Sequence, residues 1–157
     1  MDLDDLERRI RRLEDLEAIK QLKARYALAC DAGYDADVLA AMFTGDAVWD
    51  GGPLGRSEGR EAIRKFFQGS SRRISFAVHN IVSPVIEIEG DTATGIWYLL
   101  QTCTYIDGNQ AVWGAATYHD RYVREDAVWK FRHVRLESHF WTPYEDGWAR
   151  TRFVPRD

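Results

Sequence analysis

Cysteine is nearly absent from this chain: 157 residues carry two, Cys30 and Cys103. Two such thiols make neither a disulfide framework nor a zinc motif. Both stand in apolar surroundings and are expected as reduced core residues. Excess positive charge is missing too. Lys and Arg number 21 against 25 Asp and Glu, and they are scattered, so a nucleic-acid partner has no electrostatic footprint. The local exception, Arg8, Arg9, Arg11 and Arg12, alternates with acids and reads as a solvated helix face. No apolar run approaches the length that spans a bilayer, and the N-terminus is too charged for a signal peptide. The expectation is a cytoplasmic protein without a membrane partner. Familiar catalytic signatures are equally scarce. No Ser–His–Asp arrangement, phosphate loop or dinucleotide fingerprint is present, and Gly51-Gly-Pro-Leu-Gly fits neither nucleotide pattern. The four histidines, His79, His119, His133 and His139, show no HxxxH or HxH spacing, so neither a metal nor a cofactor is expected.

Aromatic residues, by contrast, make up 13% of the chain, with six tryptophans against two methionines. Trp49, Trp97, Trp113, Trp129, Trp141 and Trp148 are spread over the second half of the chain and the stretch before it. Such side chains fill cores, and they also line pockets for flat apolar ligands.

From Leu3 to Cys30 the apolar residues recur at three- and four-residue steps through Ile10, Ile19, Leu22 and Tyr26, without Gly or Pro. That is one long amphipathic helix. A short helix is expected over residues 38–43 with Asp37 as its N-cap, then a strand over 47–50. A loop through Ser57 or Glu58 leads to a third helix over 60–68, whose apolar face is Ile63, Phe66 and Phe67. After Gly69 the period becomes strand-like. Four runs, 79–87, 92–105, 111–123 and 128–140, are separated by Glu-Gly-Asp, Asp-Gly-Asn and Arg-Glu-Asp-Ala turns. Helices followed by consecutive hairpins predict an α+β domain, a curved antiparallel sheet wrapped around helices. The whole chain, 1–157, reads as one domain, with 1–12 as a possible arm and 142–157 as an irregular tail.

Two stretches concentrate the chemistry. Gln21-Leu-Lys-Ala-Arg-Tyr-Ala-Leu-Ala-Cys-Asp presents a tyrosine and ends on Asp31, where a carboxylate opposes the helix dipole unless a partner compensates it. Phe76-Ala-Val-His-Asn-Ile-Val sets His79 at the start of the β-rich half. If the two meet, the carboxylate orients an imidazole as a general base.

Ile19-Lys-Gln-Leu-Lys-Ala-Arg-Tyr with Asp31, Phe43-Thr-Gly-Asp-Ala-Val-Trp, Gly59-Arg-Glu-Ala-Ile, the His79 strand and Tyr122-Val-Arg-Glu-Asp-Ala-Val-Trp-Lys-Phe together resemble the SnoaL-like branch of the nuclear transport factor 2 superfamily. The resemblance implies a cone-shaped α+β barrel. Within that superfamily the scytalone dehydratases, bile-acid 7α-dehydratases and hexachlorocyclohexane dehydrochlorinases place an Asp–His dyad in the cone, and Asp31 and His79 match it. Tyr26 matches a tyrosine of the bile-acid enzymes, and Arg135 the pocket arginine of the dehydrochlorinases. The scytalone dehydratases' second pocket tyrosine has no counterpart at Val48-Trp49-Asp50. The implied activity is a cofactor-independent lyase that eliminates water, formaldehyde or another small group from a hydrophobic aromatic or polycyclic substrate. His79, Asp31 and Tyr26 are its expected catalytic residues, with Arg135, Trp49, Trp113, His119 and Trp97 contacting substrate. A non-catalytic hydrophobic-ligand-binding or assembly module of the same fold is the alternative. Apolar residues in both phases of the strands suggest two buried sheet faces, hence a homo-oligomer; the dehydratase resemblance favours a trimer over a dimer.

Overall fold

The computed structural model describes residues 2–155 and shows the expected α+β cone. Helix α1 runs over Leu3–Asp31, α2 over Ala36–Ala41 and α3 over Arg60–Arg73. The strands are β1 (Phe43–Asp50), β2 (Arg56–Glu58), β3 (Ile74–Glu89), β4 (Thr92–Tyr105), β5 (Gln110–Glu125) and β6 (Val128–Pro143). They form one sheet in the order β2-β1-β6-β5-β4-β3. All neighbours are antiparallel except β1 and β6, which run parallel. The sheet curls around α1 and α3, and the core lies on its concave side.

The first helix divides into two halves. Ile19, Leu22, Tyr26 and Cys30 are buried against the sheet, whereas Leu3, Leu6, Ile10 and Leu13 are exposed. Asp15 fixes the transition: its carboxylate accepts from Trp129 Nε1 at 2.9 Å and from the Arg124 guanidinium.

Several boundaries differ from expectation. The N-cap of α2 is Asp35, whose side chain accepts from the backbone N–H of Asp37 and Val38, so the helix starts earlier than Asp37 suggests. Strand β1 begins at Phe43 and not at Ala47, because parallel pairing with β6 extends it. Helix α3 continues through Gly69 to Arg73, since Ser70 is buried and its hydroxyl bonds the Phe66 carbonyl within the helix. The tail is less irregular than expected. After a turned segment it runs back beside the end of β6, where Trp141 donates to the Arg152 carbonyl and accepts from Val154 N–H.

Strand β6 carries two bulges. Tyr122 pairs with Phe131 but Arg121 pairs with His133, leaving Arg132 unpaired; Ala116 pairs with Ser138 but Ala115 with Phe140, leaving His139 unpaired. Each bulge shifts the alternation of side chains by one residue. Phe131 lies inside before the first bulge and Val134 and Leu136 after it, so Arg135 faces outward.

Candidate active site

A cavity of about 360 Å³ opens at one end of the cone. Tyr26, Tyr34, Trp49, Phe67, Tyr118 and Trp141 supply most of its wall, and His79 and Gln101 reach it from the sheet. Two close approaches shape the opening. A Cβ on Gly114 would collide with the Trp141 ring, and one on Gly51 would sit 2.6 Å from Trp49 Cζ3. The absent side chains let both indoles fold over the cavity. Trp141 is held there by a 2.8 Å bond from its Nε1 to the Tyr105 hydroxyl.

His79 and Asp31 meet at this cavity. Asp31 is the last residue of α1, and its Oδ1 lies 2.6 Å from His79 Nδ1. The His79 backbone N–H also points at the carboxylate, 3.0 Å from Oδ1 and 3.2 Å from Oδ2. These donors offset the unfavourable position of an anion at a helix C-terminus. A carboxylate only accepts, so Nδ1 is the donor in this contact, and in the neutral tautomer it selects Nε2 carries the lone pair. The imidazole is nearly enclosed, with its side chain 5% exposed. The Tyr34 ring stands edge-on to it, 6.0 Å between centroids.

Tyr26 is fully buried, and its hydroxyl accepts from Trp49 Nε1 at 3.1 Å. Burial drives its phenol well above the ordinary value of 10.0, so it keeps its proton as a donor. Tyr34 and Gln101 were not anticipated. Gln101 pairs directly across from His79 on β4; both it and Tyr34 line the cavity, and neither side chain has a hydrogen-bond partner among the described residues. Strand register was the only signal for Gln101, and no motif marks Tyr34.

Four residues expected near substrate lie elsewhere. Arg135 and His119 are register partners on the convex face, where His119 Nε2 bonds Glu137 Oε2 at 2.9 Å and Arg135 approaches the same oxygen. The Arg132 bulge turns Arg135 out. Trp113, also convex, packs against Phe140 and Trp148. Trp97 shares the concave face with Gln101 but sits deeper in the core, donating to the Tyr122 hydroxyl at 2.9 Å. Trp49 alone of the expected substrate-contacting residues lines the cavity.

Behind the wall lies a second polar group. Lys23 Nζ sits 2.8 Å from Asp120 Oδ2, with both side chains at most 1% exposed. The ammonium lies 3.4 Å from the centroid of the Tyr118 ring, and Tyr118 also lines the cavity. Desolvation lowers the Lys23 pKa, against the pull of Asp120. Among the described residues no group of three His, Cys, Asp or Glu side chains is placed to hold a metal, and no helix is long and apolar enough to cross a membrane.

Fold and site together define a cone-shaped α+β domain with an aromatic cavity open at one end and a carboxylate-bonded histidine in its wall. The model of the SnoaL-like domain matches residues 11–135, and the chain belongs to that family. A gamma-hexachlorocyclohexane dehydrochlorinase of Sphingobium indicum is 26% identical over 145 residues, covering 84% of this chain and 85% of its own. The structure of a type 3 hexachlorocyclohexane dehydrochlorinase of Novosphingobium barchaimii aligns with a TM-score of 0.77 at 27% identity, over 92% of this chain and 97% of that one. A candidate aromatic-ring hydroxylase of Novosphingobium aromaticivorans aligns with a TM-score of 0.78 at 28% identity, over 85% and 96%. The dehydrochlorinases among these relatives are lyase-type enzymes.

Proposed function

We propose that this protein is a cofactor-independent lyase acting on a hydrophobic aromatic substrate, with His79 as its general base. The observation that carries the reading is the 2.6 Å contact between Asp31 Oδ1 and His79 Nδ1, made by a histidine that opens on an aromatic cavity. Asp31 holds the ring with Nε2 free and stabilises the imidazolium that forms. Nε2 takes a proton from a substrate carbon or hydroxyl. The electron pair released builds a new double bond, and a leaving group on the adjacent carbon departs with its own pair. Tyr26, kept protonated by burial, donates a hydrogen bond to the oxygen that gains charge. Gln101 and Tyr34 add donors on the same wall.

The dehydrochlorinase relatives support elimination as the reaction class. The cavity's six-membered rings and indoles favour a flat apolar substrate over a sugar or a nucleotide. Incubation with a panel of hydroxylated and halogenated aromatic compounds, followed by mass spectrometry, tests the reading. The expected result is a product lighter than its substrate by water, formaldehyde or hydrogen halide, formed by dialysed protein. A panel on which the wild-type protein forms no more product than the His79→Gln variant contradicts it.

A further inference from the structure

The cavity wall contains one formally charged residue besides the histidine, and it is a cation. Arg73, the last residue of α3, lines the cavity and also an outer groove of about 700 Å³ shared with Tyr105 and Trp141. It therefore stands at the threshold between the two spaces. Its backbone is fixed, because the Arg73 carbonyl accepts from Ile106 N–H at 2.9 Å. The residue is exposed, and its guanidinium has no carboxylate within ion-pair reach among the described residues. Where acids stand near an arginine on this molecule they pair with it, as Arg56, Arg64 and Arg124 each bond two. The wall offers no anion to Arg73, since Asp31 lies behind His79 and Asp107 lines the outer groove only.

We propose that Arg73 sets specificity at this site by receiving a carboxylate on the aromatic ligand, so that the ring enters the cavity and the anionic end stays at the mouth. The planar guanidinium matches a carboxylate with two parallel N–H donors, a geometry a lysine cannot reproduce. Water at the mouth solvates what remains of both charges, so neither is stranded in the apolar interior. The inference rests on the cavity being the ligand site proposed above, but not on His79 acting as a base.

Binding separates the two. Quenching of tryptophan fluorescence, with Trp49 and Trp141 in the wall, is titrated with naphthalene-2-carboxylate and with its neutral isostere, naphthalene-2-carboxamide. The expected result is about fivefold tighter binding of the carboxylate at low salt, shrinking as salt is added. Arg73→Gln removes that preference and Arg73→Lys restores part of it, while His79→Gln keeps it. Equal affinity for the two probes overturns the proposal. So does a preference that survives Arg73→Gln, one that disappears with His79→Gln, or a wild-type protein that binds neither probe. A protein that discriminates between the probes yet turns over nothing in the substrate panel supports the role of Arg73 and counts against the lyase alone.

Discussion

Tyr26 illustrates how burial decides what a side chain can do. With its phenol held protonated and its oxygen already accepting from Trp49, the hydroxyl has one useful role left, donation. Tyr26→Phe deletes that donor at almost constant volume. Turnover should fall about 10²–10³-fold, the usual range for one oxyanion-type bond, and the Trp49 N–H left without its acceptor should cost about 1–3 kcal/mol of stability; full activity in the variant removes Tyr26 from the mechanism. Lys23 and Asp120 obey the same physics with a structural result. An unpaired charge left in the core costs about 3–5 kcal/mol, so Lys23→Met should lower stability by that amount in urea unfolding. The double variant Lys23→Met/Asp120→Asn should recover part of it. Equal losses in the two proteins contradict a coupled pair.

At the scale of the element, Trp141 depends on a neighbouring strand. Gly114 leaves the space the indole occupies, so Gly114→Ala should displace Trp141 from the cavity mouth and cost about 1–3 kcal/mol in overpacking. Blue-shifted or unaltered tryptophan emission with unchanged stability argues against this packing. Helices and hairpins were legible in the sequence because periodicity and turn chemistry are local properties. The apolar steps of Ile19, Leu22 and Tyr26 and the turns at Gly90 and Gly108 depend on no distant residue. Asp31 and His79 were legible as candidates from their places at the end of a helix and on the first long strand. The faces of β5 and β6 were not legible. Bulges at Arg132 and His139 arise from pairing with β5, and two phases equally rich in apolar residues conceal which one is concave. Arg135, His119 and Trp113 were misplaced for that reason. Arg73 escaped notice because Gly69 reads as a helix stop, whereas burial of Ser70 carries α3 one turn further.

The whole molecule hides most of its acidic phenols and thiols. Burial raises Tyr26, Tyr34, Tyr118 and Tyr122 well above 10.0, and pushes Cys103 from 9.0 up to about 12, with Cys30 raised further. These groups keep their protons in the folded state and lose them more readily in the unfolded one. Their contribution is complete below pH 9 and is lost as pH rises towards 12. Lys23 acts in the opposite sense but is one group. Thermal midpoints should therefore fall steeply above pH 9, and a thiol reagent should modify Cys30 and Cys103 only as the fold opens. Fast modification of either thiol at pH 8 contradicts their burial. The convex face points to assembly: Phe76, Val82, Ile96, Tyr98 and Leu100 all expose large apolar surface there. We expect a homo-oligomer joined through this face, a trimer in preference to a dimer. Light scattering that returns a monomer at micromolar concentration refutes it, and Tyr98→Lys should dissociate whatever forms.

All of the proposed chemistry depends on Asp31 and His79 acting as one unit. The most direct measurement is kcat/KM for His79→Gln, Asp31→Asn and the double variant, on whichever substrate the panel identifies. An analogous carboxylate-to-amide exchange behind a catalytic histidine costs about 10⁴-fold. The prediction is that both single variants fold normally and fall far below Tyr26→Phe, with the double variant no slower than the slower single one. Near-normal turnover in His79→Gln, with Asp31→Asn merely melting early, would show that the pair only fastens α1 to β3.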